Sequence, residues 1–307
     1  MRKQGYTSGE EISHRLKISR QALWKHIQDL KDAGYDIAAV PHLGYQLVSA
    51  PDRLFPHEVS RHLDTKVIAK EIHYFDKLAS TMDLATELGL EGASEGTLVL
   101  AETQTRGRGR LGRNWLSPKH KGIYLSLILR PEVAPAQASI FTLLSAVSIC
   151  EAIKEVLGLD TQIKWPNDIL LANKKAGGIL TELDAEIDQI RFVVIGIGLN
   201  VNNERDTLVA GATSLKQHSK EMVSRIELLQ AILRRIEKNY LVFKKQASRP
   251  IIEKWREHNA TLGKRVKVVS HNKHIEGQAV DIDADGCLLV RKDSGLTQKV
   301  AAGDVSH

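Results

Sequence analysis

The chain has 307 residues, of which 42% are hydrophobic and 26% charged, and its formal net charge is +6. This length predicts two or three domains, and this composition is that of an ordinary soluble globular protein. The longest apolar run, residues 138–150, is interrupted by hydroxyl side chains and is too short to span a bilayer, and the first residues lack the apolar segment of a secretory signal. Cys150 and Cys287 lie far apart in the sequence and form no metal-binding pattern. We therefore expect a cytoplasmic protein that does not bind a membrane.

Residues 1–50 predict a winged helix-turn-helix domain. Ser8 and Ser19 each stand at the N-cap position of a short helix, and a β-hairpin over residues 36–48 follows the second helix. One alternative is a small helical adaptor without nucleic acid. Too few residues also precede Ser8 for the extra helix that usually comes first, so either the start is truncated or the domain is degenerate. The exposed face of the second helix predicts the DNA contacts, which are Arg20, Gln21, Lys25 and Gln28.

The rest of the chain predicts a linker over residues 51–65, a mixed α/β region over 66–255 and a C-terminal domain over 262–307. In the middle region, Ser80 and Ser224 mark helix N-termini, and residues 135–157 form a buried helix. Apolar segments predict strands near residues 97–102, 123–129, 163–165, 169–172, 175–183 and 190–197. The C-terminal domain alternates apolar and polar residues between short turns, one of them at Asn272-Lys273, which predicts a small β-barrel.

Residues 105–115, TRGRGRLGRNW, combine four arginines and three glycines with no acid. The glycine spacing matches the dinucleotide-binding fingerprint, but Pro118 and Gly122 leave no room for the helix that a Rossmann fold needs next. Residues 103–131 contain no acid at all, which favours a phosphate- or carboxylate-binding loop over a solvated charged face. With no acid nearby in sequence to offset their repulsion, we expect the arginines to keep residues 106–116 mobile until an anion binds.

Five segments follow one another along the chain: Ser80-Thr81, Gln104 with GRGR at 107–110, KWPND at 164–168, KAGGI at 175–179 and GIGLN at 196–200. In this combination the chain resembles the biotin protein ligase family over essentially its whole length. With the helix-turn-helix in front, it is similar to the bifunctional type that also represses biotin operons. The resemblance implies an α+β fold with a winged helix-turn-helix, a central mixed sheet like that of class II aminoacyl-tRNA synthetases, and an SH3-like C-terminal barrel.

The resemblance also implies the reaction and its partners. Biotin is activated by ATP, with Mg²⁺, to biotinyl-5′-AMP, and the biotinyl group then passes to a lysine of a biotin carboxyl carrier protein. The carrier would belong to acetyl-CoA carboxylase, with other biotin-dependent carboxylases as further acceptors. The DNA partner would be the biotin operator, bound by a homodimer that forms when the adenylate is present.

Each implied site residue belongs to one of the five segments or to the arginine loop, except Met82, which directly follows the first segment. For biotin binding they are Ser80, Thr81, Met82, Gln104, Arg108, Gly109, Arg110 and Lys175. For the nucleotide they are Arg108, Arg110, Arg113, Trp115, Lys175 and Asn200. For catalysis they are Lys175, Arg110, Lys164 and Asp168.

Two positions depart from the family pattern. Met82 stands where relatives often carry Asn or Gln, which removes a polar contact to biotin, and Arg106 stands where many carry Ala, so we expect it to face solvent or a substrate phosphate. Two other functions fit parts of the sequence: a transcription factor that only senses a ligand, and a lipoate ligase of the same fold. The lysine-bearing phosphate site argues against the first, and the GRGR and KWPND segments favour biotin over lipoate.

Overall fold

The computed structural model describes residues 5–270 and 273–306, so Asn272 of the expected C-terminal turn lies outside the described residues. The chain forms two compact units, Met1–Asp52 and Arg53–His307. Each unit is described by itself below.

The first unit is a helix-turn-helix followed by a hairpin. Helix α1 spans Gly9–Leu16 and helix α2 spans Arg20–Asp32, and the hydroxyl oxygens of Ser8 and Ser19 each accept a backbone N–H of the first turn at 3.1 Å. Strands β1 (Asp36–Val40) and β2 (Gly44–Ser49) pair antiparallel. Its buried hydrophobic side chains come from α2, from β1 and from the turn between them: Leu23, Ile27, Tyr35 and Ile37. Both predicted caps and the hairpin are confirmed.

A seven-stranded mixed sheet is the centre of the second unit. Its strands, in chain order, are β3 (Ile72–Phe75), β4 (Leu98–Ala101), β5 (Gly122–Leu129), β6 (Gln162–Lys164), β7 (Asp168–Leu171), β8 (Lys174–Ala185) and β9 (Ile190–Asn200). Their spatial order is β3-β4-β5-β9-β8-β7-β6, with β3 and β4 parallel and the other neighbours antiparallel. Because β4 and β5 are antiparallel neighbours on either side of the arginine loop, this loop does not open a Rossmann crossover.

Helices cover this sheet and complete its core. They are α3 (Pro56–Ser60), α4 (Thr81–Leu90), α5 (Ser139–Leu157), α6 (Lys216–Ser219), α7 (Arg225–Gln246) and α8 (Arg249–His258). Helix α5 is buried along most of its length, as an apolar helix between a sheet and neighbouring helices must be, and α7 and α8 pack against it. The sequence predicted α4, α5 and α7 but missed α8, although Pro250 in its first turn is a helix-start signal.

The C-terminal residues form a five-stranded antiparallel sheet. Its strands are β10 (Arg265–Ser270), β11 (Lys273–Ile282), β12 (Leu288–Arg291), β13 (Thr297–Val300) and β14 (Asp304–Ser306), in the order β13-β12-β11-β10-β14. The indole N–H of buried Trp165 donates to the carbonyl of Gly286 at 3.1 Å, which ties this sheet to the KWPND segment. Together the three regions confirm the expected α+β fold.

A buried ion pair joins distant parts of the second unit. Glu102, directly after β4, and Arg225, at the start of α7, are both 0% exposed, and their charged atoms lie 2.7 Å apart. Glu102 also accepts the backbone N–H of Leu54 at 2.8 Å. Burial by itself raises the pKa of this carboxyl, but Arg225 and the other donors outweigh burial and leave the pKa below its ordinary value. Among the described residues, none of the helices is both long and apolar enough to cross a membrane.

Candidate active site

A cavity of about 260 Å³ lies in the second unit, above the ends of β8 and β9 and beside the arginine loop. It brings together most of the residues that the sequence predicted for the site: Thr81, Met82, Gln104, Arg108, Gly109, Arg110, Arg113, Trp115, Asp168, Lys175 and Asn200. Among the residues that the structure describes, Ser80 and Lys164 are predicted site residues that do not line it.

One end of the cavity is built by the start of α4. The backbone N–H and the hydroxyl of Thr81 donate to the Gln104 amide oxygen at 2.8 and 3.1 Å, and the Gln104 amide nitrogen donates to Ser117 at 3.0 Å. These bonds fix the orientation of the Gln104 amide at the cavity wall. Met82 packs so close to β9 that a Cβ on Gly196 would meet its sulfur at 2.5 Å. This end therefore combines fixed polar groups with an apolar floor.

Lys175 and Asp168 face each other from neighbouring strands. Lys175 Nζ lies 2.6 Å from Asp168 Oδ1, and both side chains are partly exposed to the cavity. The strands that carry them, β7 and β8, are joined by a short turn, and their pairing shifts register between Ile169 and Leu170. The backbone of Lys175 is also held on its other edge, since its N–H donates to Gly211 at 3.0 Å. The ammonium is thus placed before any substrate arrives.

Trp115 forms the wall beneath this ammonium. Lys175 Nζ lies 5.7 Å from the centre of the indole ring, within the range of a cation–π contact. The ring rests on β9, where a Cβ on Gly198 would come within 2.4 Å of it. The absence of a side chain at Gly198 is what lets a flat aromatic surface lie here, beside the adenylate-binding residues that the sequence predicted.

Arg110 is the most buried cation of the arginine loop. Its guanidinium donates to the Asn167 amide oxygen at 2.9 Å, and Asn167 in turn donates to the carbonyl of Ile179 at 2.9 Å. Burial lowers the pKa of Arg110, and the nearby carboxylates of Asp304 and Asp168 oppose that shift. A guanidinium at this place in the cavity can stabilise a developing negative charge.

The other arginines of the loop correct one expectation from the sequence. Arg108 makes a bidentate pair with Glu182 at 2.9 and 2.8 Å and also contacts Asp83 at 2.9 Å, and Arg113 pairs with Asp304. The prediction that no acid offsets the repulsion between these arginines was therefore wrong, because the fold supplies acids from other elements. Arg106 is exposed and faces solvent.

The structure shows what the remaining predicted residues contact. Ser80 is buried and caps α4, with the Asp83 N–H donating to its hydroxyl at 3.3 Å, so it positions Thr81. Lys164 ends β6 opposite Asp168. Asn200 is buried at the cavity wall and donates to the carbonyl of Thr213 at 3.2 Å. Their roles with substrate stay predictions.

Sequence reasoning did not single out some side chains that share this cavity. Asn167 lies inside the KWPND segment, so the motif itself was a signal for it. Asn203 and the stretch 207–209 follow β9, and Asp304 comes from the chain end, where no motif marks them.

The predicted DNA contacts lie on one helix of the first unit. Arg20, Gln21 and Lys25 are exposed on α2, and Gln28 is half-buried. Arg20 pairs with Glu10 of α1 at 3.1 Å, and both side chains are largely exposed. Such a pair is weak enough for a DNA phosphate to replace the carboxylate.

A cavity that joins several cationic side chains to an apolar end defines a class of protein that binds a small anionic ligand with an apolar part. Three family models match the chain: Biotin/lipoate A/B protein ligase family at residues 74–200, Biotin protein ligase C terminal domain at residues 261–307, and HTH domain at residues 1–46.

Individual relatives are similar over most of the chain. The bifunctional ligase/repressor BirA of Bacillus subtilis is 40% identical over 304 residues, which cover 98% of this chain and 93% of that protein. The biotin--[acetyl-CoA-carboxylase] ligase of Mycobacterium tuberculosis is 32% identical over 269 residues, which cover 83% and 98%. The solved biotin protein ligase from Aquifex aeolicus in complex with biotin and ATP superimposes with a TM-score of 0.66 at 30% identity, covering 77% and 98%. The chain belongs to the biotin protein ligase family.

Proposed function

We propose that this protein activates biotin with ATP, transfers the biotinyl group to a lysine of a carrier protein, and also represses transcription by binding operator DNA. The observation that carries the enzymatic part is the placement of Lys175, Arg110 and Arg108 in one cavity with the Thr81–Gln104 wall. The relatives that bear ligase and repressor names support both parts.

In the first step, a carboxylate oxygen of biotin attacks the α-phosphorus of ATP. An acyl–phosphate bond forms, the bond to the β-phosphate breaks, and pyrophosphate leaves. Both reactants are anionic, so the cations of the cavity must bring them together and stabilise the charge that develops on the phosphate oxygens. We assign that role to Lys175 and Arg110, which contact Asp168 and Asn167.

The polarity of the cavity wall suggests which end binds biotin and which binds the adenylate. Thr81 and Gln104 present fixed amide and hydroxyl groups suited to the ureido ring of biotin, and Met82 offers an apolar surface to the rest of that molecule. The ring of Trp115 and the side chain of Asn200 lie on the wall that we assign to the adenylate.

In the second step, the amine of the carrier lysine attacks the acyl carbon, an amide bond forms, and AMP leaves with the electrons of the broken acyl–phosphate bond. The same cations stabilise the leaving phosphate. The lysine ammonium must first lose one proton to attack as a neutral amine, and the nitrogen loses a second proton, to solvent or to a phosphate oxygen, as the amide forms. We propose the biotin carboxyl carrier protein of acetyl-CoA carboxylase as the acceptor, with other biotin-dependent carboxylases as further acceptors, since the M. tuberculosis relative is named for the first of these.

Mg²⁺ is expected to arrive with ATP. Over residues 5–270 and 273–306, no group of three or more His, Cys, Asp or Glu side chains is arranged to hold a metal ion. Mg²⁺ commonly uses one or two carboxylates together with substrate phosphates and water. The ATP phosphates and water would therefore supply most of the ligands of this ion, which would neutralise phosphate charge when bound.

The repressor function is assigned to the first unit. Its helix-turn-helix places Arg20, Gln21 and Lys25 on the exposed part of α2, where a recognition helix meets the major groove. We propose that the partner is the biotin operator and that a homodimer carrying the adenylate is the form that binds it.

The test of the ligase is ATP-dependent transfer of labelled biotin to a purified biotin carboxyl carrier domain. Incorporation should require ATP and the acceptor lysine, and labelled lipoate offered to a lipoyl domain should give none. Biotin transfer that is absent while lipoate is transferred would assign the protein to the lipoate branch. A protein that binds biotin but forms no adenylate and transfers nothing would be a ligand-sensing regulator instead.

A further inference from the structure

Trp24 lies on helix α2 with 58% of its side chain exposed. The helix packs onto its own unit through Leu23 and Ile27, which are buried, so the packing of the unit does not need the indole. An aromatic side chain that is left in solvent loses the free energy that its burial would give. A single exposed apolar residue is ordinary, so its surroundings decide whether it marks a contact.

The surroundings of Trp24 are polar and suited to DNA. On a helix, residues four apart lie in one row, so Trp24 stands between Arg20 and Gln28. Gln21 and Lys25 form the adjacent row. The indole is thus the apolar member of the face that carries all four predicted DNA contacts.

The charge pattern points to a polyanion as the partner. Residues 12–28 contain no acid and four arginine or lysine residues, which are Arg15, Lys17, Arg20 and Lys25. The acids of α2 come only in its second half, at Asp29 and Asp32. A cationic first half of a recognition helix complements the phosphates that border the major groove.

We propose that Trp24 enters the major groove and packs against the 5-methyl group of a thymine in the operator. The apolar feature that bases present in this groove is the thymine methyl, so an indole on a groove-facing helix has one matching partner there. Trp24 is the fifth residue of α2, within the part of a recognition helix that reaches base edges. This inference rests on the proposed binding of operator DNA.

The experiment compares two forms of one duplex. A sequence is first selected from a randomised duplex library with the wild-type protein in the presence of biotin and ATP, and it is then made with thymine or with deoxyuridine, which lacks the methyl group. Trp24→Ala should weaken binding to the thymine duplex on the order of tenfold, the usual scale of one lost base contact. Deoxyuridine should weaken wild-type binding by a similar factor and leave Trp24→Ala binding unchanged.

Matched controls separate this contact from loss of folding. Val48→Ala removes an apolar side chain of similar exposure, 56%, from the hairpin and should bind as the wild type does. Trp24→Phe keeps an aromatic ring on α2 and should give intermediate affinity. Biotin transfer to the carrier should be equal in all of these variants, because the catalytic cavity lies in the other unit.

Each other outcome overturns the inference in its own way. If the wild type selects no duplex, the proposed DNA binding itself fails, and the thymine contact with it. If the wild type binds and Trp24→Ala binds equally well, only the role of Trp24 fails, and a changed sedimentation coefficient in that variant would assign the indole to a protein contact. If deoxyuridine weakens binding by the same factor in the wild type and in Trp24→Ala, the thymine methyl is not the partner of Trp24.

Discussion

The ammonium of Lys175 lies 2.6 Å from a carboxylate oxygen of Asp168 on the neighbouring strand, inside the cavity that also holds Arg110 and Trp115. The pair keeps a long, flexible side chain in place at the point where we propose that carboxylate and phosphate meet. When those anions bind, they can share or take over the contact with the ammonium. Asp168 is thus a positioning residue for Lys175.

Replacing Lys175 tests this assignment. Lys175→Ala should lower biotinyl transfer by about two to three orders of magnitude, the scale of one lost preorganised charge contact, while the fold is retained. Asp168→Asn should cost less, because it loosens the ammonium without removing it. The rates are measured at saturating biotin and ATP, with urea unfolding as the control for stability. Near-normal turnover of Lys175→Ala would show that another group supplies the charge.

Local features of the fold could be predicted from sequence, and distant pairings could not. The N-caps Ser8, Ser19, Ser80 and Ser224 were all confirmed, because a cap depends on a bond across only three residues. By contrast, Asp304 meets Arg113 across 191 residues, and no local pattern encodes such a contact.

In the site, too, local motifs could be predicted from the sequence and distant pairings could not. The GRGR, KWPND and KAGGI segments identified the arginines, Asp168 and Lys175, since these residues carry the chemistry. The acids that pair with Arg108 reach it from α4 and β8, and only the strand order brings Glu182 there. The mistaken expectation of unbalanced repulsion in the loop arose from reading charge along the sequence instead of across the sheet.

Substitutions at two glycines of β9 should affect the two ends of the cavity differently. Gly198→Ala places a methyl group 2.4 Å from the Trp115 ring, so the ring must move, and kcat/KM for ATP should fall on the order of tenfold to a hundredfold. Gly196→Ala meets the flexible Met82 sulfur at 2.5 Å and should act mainly on the KM for biotin, by a smaller factor. The rate of pyrophosphate exchange, measured while the concentration of ATP or of biotin is varied, distinguishes the two effects. Equal effects of both variants on both substrates would contradict the assigned ends.

Glu102 should give the second unit an acid-sensitive stability. Its pKa is below the ordinary 4.5 in the folded state, so its contribution is complete above that value and is lost as the pH falls through the folded pKa. Glu102→Gln removes the charge opposite buried Arg225 and should lower the free energy of unfolding at pH 7 by about 3–5 kcal/mol. The difference from the wild type should shrink below pH 4.5.

Denaturant unfolding at several pH values measures this difference. Glu91→Gln, at an exposed carboxyl after α4, is the matched control and should leave both the stability and its pH dependence nearly unchanged. If the free energies of unfolding of the wild type and of Glu102→Gln differ by a constant amount down to pH 3, the charge of Glu102 is not what stabilises the unit.

Operator binding by the first unit should weaken steeply with salt, because contacts to phosphates release counterions. Lys25→Ala should reduce the slope of log affinity against log salt by about 1 if this side chain contacts one phosphate. Biotin and ATP together should strengthen binding, since the adenylate is proposed to favour the dimer. Gel shifts over a salt series, with and without both ligands, test these effects. A salt slope near zero and no response to ligand would support a degenerate domain that lacks its first helix.

Residues 106–116 should exchange their amide hydrogens rapidly in the free protein and slowly with biotin and ATP. Their exposed ion pairs, such as Arg113 with Asp304, contribute only about 0–1 kcal/mol each, whereas fixing one backbone residue costs about 1–2 kcal/mol. A hydrogen bond inside the loop, such as that from the Gly109 N–H to the Arg113 carbonyl at 2.7 Å, contributes about 0.5–1.5 kcal/mol, which is less than the entropy cost of fixing the residues it joins. A bound acyl-adenylate adds charge-assisted hydrogen bonds to the arginines and should order the loop over the reactive bond, away from water.

Asp304→Asn tests how much the ion pair with Arg113 contributes to the order of the loop. It removes a charge from the loop's partner and should speed exchange in the free protein, with little effect once the ligand anion has taken the place of the carboxylate. If the amides of residues 106–116 are strongly protected in the free wild type, and Asp304→Asn abolishes that protection, then Asp304 and the other acids order the loop without ligand. The loop would then be a preformed cradle, and ligand binding would leave its exchange unchanged.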